Sequence, residues 1–235
     1  MIPWLERADA FPPLELALSE PNGLLCAGGD LSPQRIVQAY RQGVFPWYSA
    51  GEPILWWSPD PRMVLVPSEF RISRSLRRTL RNGDYLIRLD SNFPTVIRAC
   101  AKTPRNGQAG TWISAEMQAA YCKLYELGFA HSVETWVDNK LVGGLYGLAI
   151  GKMFYGESMF SHATDASKIA IAHLTRFLEA QGFGLIDCQM NTPHLASLGA
   201  REIPRNEFIA SLHELTAIPP LKGRWASDGA SQGWV

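Results

Sequence analysis

The chain has 235 residues, 46% of them hydrophobic and 19% charged, so it can bury the core of one large or two modest domains. No apolar run reaches about 18 residues, and the first residues lack the charged and apolar regions of a signal peptide. The four cysteines form no C-x-x-C pair, which disfavours a zinc site or a disulfide framework. We therefore expect a cytoplasmic protein without a membrane span, a zinc site or a disulfide framework.

The formal net charge is zero, but the charges are segregated along the chain. Residues 1–61 carry three Lys/Arg against seven Asp/Glu. Residues 62–88 carry seven Arg, no Lys and two acidic residues, which gives this segment a balance of +5. Such a segment is either a solvated surface or a site for a negatively charged partner.

The first part of the chain, residues 1–62, is predicted to be a small domain. Ser32 followed by Pro33 is typical of a helix start. Further on, Trp47, Trp56 and Trp57 fall within a rigid, proline-rich segment. Tryptophans in such a segment either pack between two domains or present flat faces to a base or nucleoside. The sequence leaves both interpretations open.

A short basic helix is predicted over residues 73–81, with its leucines on one side and its arginines on another. Arginine suits phosphate because its planar fork bonds two oxygens at once. A strip of this size fits the backbone of a nucleic acid. The alternative interpretation is a solvent-exposed helix face without a partner. The arginines on this side are Arg74, Arg77, Arg78 and Arg81.

The remaining chain, residues 63–235, is predicted to contain a β-hairpin followed by a crossover. Apolar runs at 141–150 and 153–160 flank a two-residue turn that contains Gly, which predicts the hairpin. A helix over 166–181, with Thr164-Asp165 as its cap, then leads to a strand over 183–189. The connection makes the flanking strands parallel. The last residues, 226–235, are predicted to fray.

This order of elements resembles the fold of the Gcn5-related N-acetyltransferases. The chain is thus expected to be an α+β (mixed α/β) protein with a small N-terminal domain and an acetyltransferase-like C-terminal domain. In that family a Gly-rich loop before the crossover helix binds the pyrophosphate of coenzyme A. Here the loop at 161–168 has no glycine and contains Asp165, which would repel phosphate. A coenzyme A-dependent acetyltransferase is therefore a disfavoured alternative.

Two acidic residues lie in apolar strands beside the predicted crossover, Glu157 and Asp187. A carboxylate is expensive to bury in its ionised form unless it is paired or hydrogen-bonded, so each residue is either structural or functional. Together they would receive a cation or hold an amine for attack. The chain has no H-E-x-x-H or G-x-S-x-G motif, which disfavours a metal site and covalent catalysis. A non-catalytic RNA-binding module would leave both acids without a role.

Eight segments resemble the family of leucyl/phenylalanyl-tRNA–protein transferases, and the match covers almost the whole chain, from about Phe11 to Phe208. Several long motifs in one order make this resemblance specific. A mild departure is Val44, where isoleucine is usual. The segments are PNGLL at 21–25, GGDLSP at 28–33, GVFPW at 43–47, WWSPDPR at 56–62, GTWI at 110–113, FYGESMFS at 154–161, DCQ at 187–189 and HLASLGA at 194–200.

The resemblance implies an enzyme that moves Leu or Phe, and Met more weakly, from aminoacyl-tRNA to another protein. The partners would be Leu-tRNA, Phe-tRNA and proteins that begin with Arg or Lys, whose N-terminal α-amine is acylated. The product enters the N-degron route of protein degradation. The resemblance also implies that the enzyme uses no metal or coenzyme A, and we expect it to be a monomer.

The resemblance also implies roles for particular residues. Trp47 and Trp112 would stack on the terminal adenosine of the tRNA. Asp187 and Gln189 would act in catalysis, with Glu157 organising the site. The apolar pocket for the transferred side chain would comprise Leu145, Phe154, Met159 and Ile186, and the tRNA-binding strip would comprise Arg71, Arg74, Arg77, Arg78 and Arg81.

Overall fold

The structure is a computed structural model, and it describes residues 2–104, 112–221, 223–226 and 234. The strands within these ranges are β1 (Trp4–Leu5), β2 (Leu24–Gly28), β3 (Phe45–Pro46), β4 (Leu55–Trp57), β5 (Arg62–Leu65), β6 (Leu86–Leu89), β7 (Ala130–Val137), β8 (Lys140–Ile150), β9 (Met153–Ser161), β10 (Leu185–Gln189) and β11 (Arg201–Ile203). The helices are α1 (Pro33–Arg41), α2 (Arg74–Asn82), α3 (Phe93–Lys102), α4 (Ala115–Glu126), α5 (Ala166–Ala180), α6 (Pro193–Ser197) and α7 (Arg205–Ala217).

Four short strands near the N-terminus form a small sheet in the order β1-β2-β4-β3. Strand β1 runs parallel to β2, and the other pairs are antiparallel. Helix α1 contacts this sheet and begins as predicted, because the Ser32 side chain accepts a hydrogen bond from the backbone N–H of Arg35. The indole N–H of Trp56 donates to the carbonyl of Gly28 at 2.9 Å, so this tryptophan is a buried packing residue.

The larger sheet has seven strands in the order β11-β5-β10-β9-β8-β7-β6. Strands β8 and β9 form the predicted antiparallel hairpin. Strands β9 and β10 are parallel and are connected by α5, so the predicted crossover is confirmed. The other neighbouring pairs are antiparallel. The fold is therefore mixed α/β.

Helices cover the large sheet through two separate hydrophobic cores. One core contains the buried faces of α2 and α5. The other contains the buried faces of α1, α3, α4 and α7, and it includes residues of the small sheet. In α2 the buried side chains are Leu76 and Leu80, which leaves the predicted arginine side of the helix exposed.

Gly147 in β8 leaves space for the aromatic ring of Phe154. A Cβ built at this position would lie 2.1 Å from the carbonyl oxygen of Tyr155 and 2.5 Å from Cζ of Phe154. Both distances are far below van der Waals contact, and the β8–β9 register also shifts at this point. The absence of a side chain at 147 therefore allows the Phe154 ring to lie against the β8 backbone.

Two details differ from the sequence predictions. Asp165 has a left-handed φ of 58° and its side chain makes no capping hydrogen bond to α5; instead it accepts one from Nζ of Lys168 at 3.0 Å. In the tail, residues 227–233 and 235 lie outside the described residues. Trp234, which was predicted to fray, is half-buried and its indole N–H donates to Nε2 of His173 at 3.1 Å. No described helix combines the length and apolarity that a membrane crossing requires.

Candidate active site

A cavity of about 620 Å³ opens beside the parallel strands β9 and β10. This volume is in the range of pockets that bind small-molecule ligands. Its walls come from the small sheet, the β8–β9 hairpin, α5 and the segment after β10. The lining residues used below are Trp47, Trp112, Leu145, Phe154, Glu157, Met159, Ile171, Leu174, Ile186, Gln189, His194 and Leu195.

Most of the residues that line the cavity are apolar. All four residues that the sequence assigned to the apolar pocket line the cavity, namely Leu145, Phe154, Met159 and Ile186. The crossover helix contributes two more, Ile171 and Leu174, which sequence reasoning missed. Their spacing of three along α5 would have placed them on one face of the helix, but nothing in the sequence shows that this face meets a cavity.

Two tryptophans form another wall. Trp47 and Trp112 both line the cavity and are half-buried, as a pair of stacking surfaces would be. Trp57 stands behind Trp47, since its indole N–H donates to the Trp47 carbonyl at 2.6 Å and the two rings meet edge-on at 5.5 Å. The tryptophan-rich segment thus serves both packing and the cavity wall.

Glu157 lies in the cavity wall within a group of tyrosines. Its carboxyl accepts hydrogen bonds from the hydroxyls of Tyr40 at 2.7 Å and Tyr121 at 3.1 Å, and the two hydroxyls are 2.7 Å apart. Burial of the carboxyl raises the pKa of Glu157 to about 8, although both tyrosine hydrogen bonds oppose the shift. The carboxyl is therefore mostly protonated at neutral pH.

Asp187 forms a closed ion pair next to the cavity. Arg62 donates from Nε to Oδ1 at 2.8 Å and from Nη2 to Oδ2 at 2.7 Å, and both side chains are 0% exposed. Arg62 also donates to the carbonyl of Gly43 at 3.1 Å and lies between the rings of Phe45 and Phe208. The residues on both sides of Asp187 line the cavity, whereas the Asp187 carboxylate faces Arg62. The sequence had grouped Arg62 with the basic segment and gave no sign of this pairing.

Gln189 connects the ion pair to the cavity. Its backbone N–H donates to Oδ1 of Asp187 at 2.9 Å, and its backbone is in the left-handed region with φ 58°. The side chain lines the cavity, and its buried amide nitrogen has no hydrogen-bond partner within the described part of the chain. A buried donor without a partner is costly in a folded protein, so this amide is suited to bind a ligand oxygen.

The arginine strip, Arg71, Arg74, Arg77, Arg78 and Arg81, is exposed throughout. Ser73 accepts a hydrogen bond from the backbone N–H of Leu76 and so begins α2. The backbone N–H of Arg71 donates to the carbonyl of Leu198 at 2.8 Å, directly after α6. Because α6 carries His194 and Leu195 of the cavity wall, this contact places the start of the strip near the rim of the cavity.

The chain is similar to known proteins over nearly its whole length. Residues 64–213 match the family model of the leucyl/phenylalanyl-tRNA protein transferase, and residues 29–60 match the model of its N-terminal domain. A leucyl/phenylalanyl-tRNA–protein transferase of Nitrosomonas europaea is 63% identical over 97% of this chain and 96% of its own length. One from Chromobacterium violaceum is 62% identical over 96% of each chain. Among solved structures, L-PGS from Bacillus licheniformis has a TM-score of 0.39 and 10% identity over 68% of this chain and 51% of its own.

A mixed α/β fold with this cavity, taken together with the names of these relatives, defines the protein as an aminoacyltransferase. More particularly, the chain belongs to the leucyl/phenylalanyl-tRNA protein transferase family.

Proposed function

We propose that this protein transfers leucine or phenylalanine, and methionine more weakly, from aminoacyl-tRNA to the N-terminal α-amine of proteins that begin with Arg or Lys. Acylation of this amine would commit the acceptor to degradation by the N-degron route in the cytoplasm. The observation that supports this function best is one cavity lined by an apolar pocket, two tryptophans and a buried amide nitrogen that has no hydrogen-bond partner among the described residues. Family membership supports the tRNA and protein substrates.

In this proposal the cavity holds the aminoacylated end of the tRNA. Trp47 and Trp112 stack on the terminal adenosine, a contact that binds a base through its π-face. The transferred side chain enters the pocket formed by Leu145, Phe154, Met159 and Ile186. An apolar pocket discriminates by only about 1–3 kcal/mol per methylene group, which explains why leucine, phenylalanine and methionine would share one site.

The reaction needs little help beyond positioning. An aminoacyl ester is already activated, so aminolysis needs an oriented neutral amine and a donor for the developing oxyanion. The amine nitrogen forms the new amide bond, the ester bond to the tRNA ribose breaks, and the ribose oxygen leaves with the proton that the amine gives up. The side-chain amide of Gln189 is placed to donate to the ester carbonyl oxygen, because its nitrogen has no partner within the described residues. Glu157, held by Tyr40 and Tyr121, keeps the neighbouring wall in place.

For Asp187 we propose a positioning role in catalysis. Direct proton abstraction would require its carboxylate to leave two hydrogen bonds with Arg62 and turn to the cavity. Positioning requires no such movement, because Asp187 already accepts the backbone N–H of Gln189. The bond stabilises the left-handed backbone of Gln189, which aims its amide into the cavity.

We also propose that the arginine strip, formed by Arg71 and the four arginines of α2, binds the phosphates of the tRNA. Its five arginines are exposed, and Arg71 is joined to the end of α6, so an acceptor stem lying on the strip would direct its terminal nucleotide toward the cavity. Residues 1–62 would form a small domain, and residues 63–235 a Gcn5-related N-acetyltransferase-like domain. Two separate sheets support this division, because the last strand of the small sheet ends at Trp57 and the first strand of the large sheet begins at Arg62.

The deciding experiment incubates the chain with labelled Leu-tRNA and a peptide that begins with Arg, and scores label on the peptide. The same peptide with an acetylated N-terminus is the matched control, because its amine cannot attack. Acetyl-CoA replaces the tRNA in a third reaction and should acylate nothing, since the loop at 161–168 lacks glycine. Label on the acetylated peptide, or none on the free peptide, would contradict the proposal.

A further inference from the structure

Trp225, close to the C-terminus, is held against the sheet by a buried polar anchor. It is 4% exposed, and its backbone N–H donates to Oδ2 of Asp90 at 2.7 Å. Its indole stacks on the ring of His131 with centroids 3.9 Å apart and an interplanar angle of 5°. The chain is therefore fixed at Trp225 by both the backbone and the side chain of this residue.

The anchor is a cluster of buried polar groups around the carboxylate of Asp90. The Asp90 carboxylate also accepts the backbone N–H of Ser132 at 2.8 Å and lies 2.7 Å from Nδ1 of His131. Asp90 and His131 are each almost fully buried. A buried carboxylate is costly unless its oxygens are satisfied, and one of the three groups that satisfy Asp90 comes from the tail. Trp225 therefore completes a polar cluster in the sheet, which distinguishes it from a side chain that only fills space.

The indole of Trp225 then reaches the back of the apolar pocket. Its ring centroid lies 5.9 Å from Phe154, 4.8 Å from Phe177 and 6.1 Å from Phe183. Among these phenylalanines, Phe154 lines the cavity. The Phe154 ring is thus confined between the bare backbone of Gly147 on one side and Trp225 on another.

We infer that Trp225 is a specificity-determining residue, which fixes the depth of the aminoacyl pocket by holding Phe154 and so sets the preference between leucine and phenylalanine. This inference rests on the proposed function of the cavity. Trp225 touches no substrate, so its role is that of a positioning residue. Because protein interiors are close-packed, a smaller side chain behind Phe154 gives this ring space to retreat. The deepened pocket then accommodates the larger phenylalanine better than leucine.

The test is a competition between Leu-tRNA and Phe-tRNA for a peptide that begins with Arg. Trp225→Leu should shift the ratio of phenylalanine to leucine transfer toward phenylalanine by about fivefold or more, a change within what one or two methylene groups are worth to a pocket. Asp90→Asn keeps the indole and weakens its anchor, and should shift the ratio in the same direction by a smaller factor.

Trp234→Leu is the matched control, because Trp234 belongs to the same tail but packs on His173, which is not among the residues of the cavity wall. Its ratio should equal that of the unaltered chain. An equal loss of leucine and phenylalanine transfer in Trp225→Leu, with an unchanged ratio, would overturn the inference, because core packing alone affects both substrates alike.

Trp225→Phe keeps an aromatic ring and provides the same measurement if the leucine variant does not fold. An unchanged ratio in that variant and in Asp90→Asn would likewise overturn the inference. The unaltered chain is assayed first. A failure of the proposed function appears there as no transfer of either amino acid, whereas a failure of this inference appears as transfer with a ratio that no Trp225 variant changes.

Discussion

In the proposed mechanism, Asp187 acts through the backbone of Gln189 and makes no contact with the substrate. Asp187→Ala should lower transfer at least about 100-fold, because Gln189 loses the acceptor of its backbone N–H and a misplacement of about 1 Å costs that much in an oriented reaction. The measurement is single-turnover transfer, with tRNA binding determined in parallel. Glu126→Ala, which removes an exposed carboxylate of α4, is the control. A near-normal rate in Asp187→Ala would exclude Asp187 from the mechanism.

The raised pKa of Glu157 makes stability depend on pH. The pKa of a glutamate in an unfolded chain is about 4.3, whereas burial raises the pKa of Glu157 to about 8. Between these values the folded protein keeps a proton that the unfolded chain has released, so this residue makes the free energy of unfolding fall as the pH rises, until it levels off above about pH 8. Glu157→Gln should remove this part of the slope, as measured by urea unfolding at several pH values. An unchanged pH dependence would show that the carboxyl is already ionised in the folded protein.

Among the secondary-structure elements, α2 is the one whose proposed role follows most directly from its charge. Reversing Arg77 and Arg78 to Glu should weaken tRNA binding and reduce its salt dependence, by about 0.7–0.9 in the log–log slope for each phosphate that the strip no longer neutralises. The measurement is tRNA binding across a salt series. Arg98→Glu is the matched control. This arginine is also exposed, but it lies on α3, whose buried side chains belong to the other hydrophobic core. A slope that stays the same in the α2 variant would contradict the phosphate role.

Elements with strong local signals could be predicted from the sequence. The β8–β9 hairpin, the α5 crossover and the amphipathic α2 follow from apolar periodicity and glycine positions, and the structure confirms all three. The left-handed Asp165 could not be predicted, because its polar side chain is typical of an N-cap while its backbone adopts another conformation. Local signals therefore specify the elements better than their ends.

The site was predictable where it follows motifs and not where it depends on distant partners. The pocket and the tryptophans came from a resemblance between sequences, and the cavity brings them together. The pairing of Arg62 with Asp187 spans 125 positions, and the contact of Trp225 with His131 joins the tail to the middle of the chain. Contacts of this kind depend on how the sheet is assembled, which periodicity and composition do not record.

At the scale of the whole molecule, buried contacts at α1 and at Gly43, just after it, connect the small sheet to the large one. The Tyr155 hydroxyl donates to the Tyr40 carbonyl at 3.1 Å, their rings pack edge-on at 4.8 Å, and Arg62 donates to Gly43. One hydrophobic core includes residues of both sheets. We therefore expect the chain to unfold in a single cooperative transition, despite the proposed division at residue 62.

Tyr40→Phe tests this coupling because it removes only the hydroxyl that Glu157 and Tyr121 share. Leaving buried partners unsatisfied costs about 1–3 kcal/mol, which lowers the Tm of a chain of this size by roughly 2–12 °C. Calorimetry should show one transition that moves as a whole, with equal calorimetric and van't Hoff enthalpies. Two transitions, of which one alone moves, would instead show that the small sheet unfolds independently. The tyrosines around Glu157 would then organise the cavity without contributing to the stability of the whole fold.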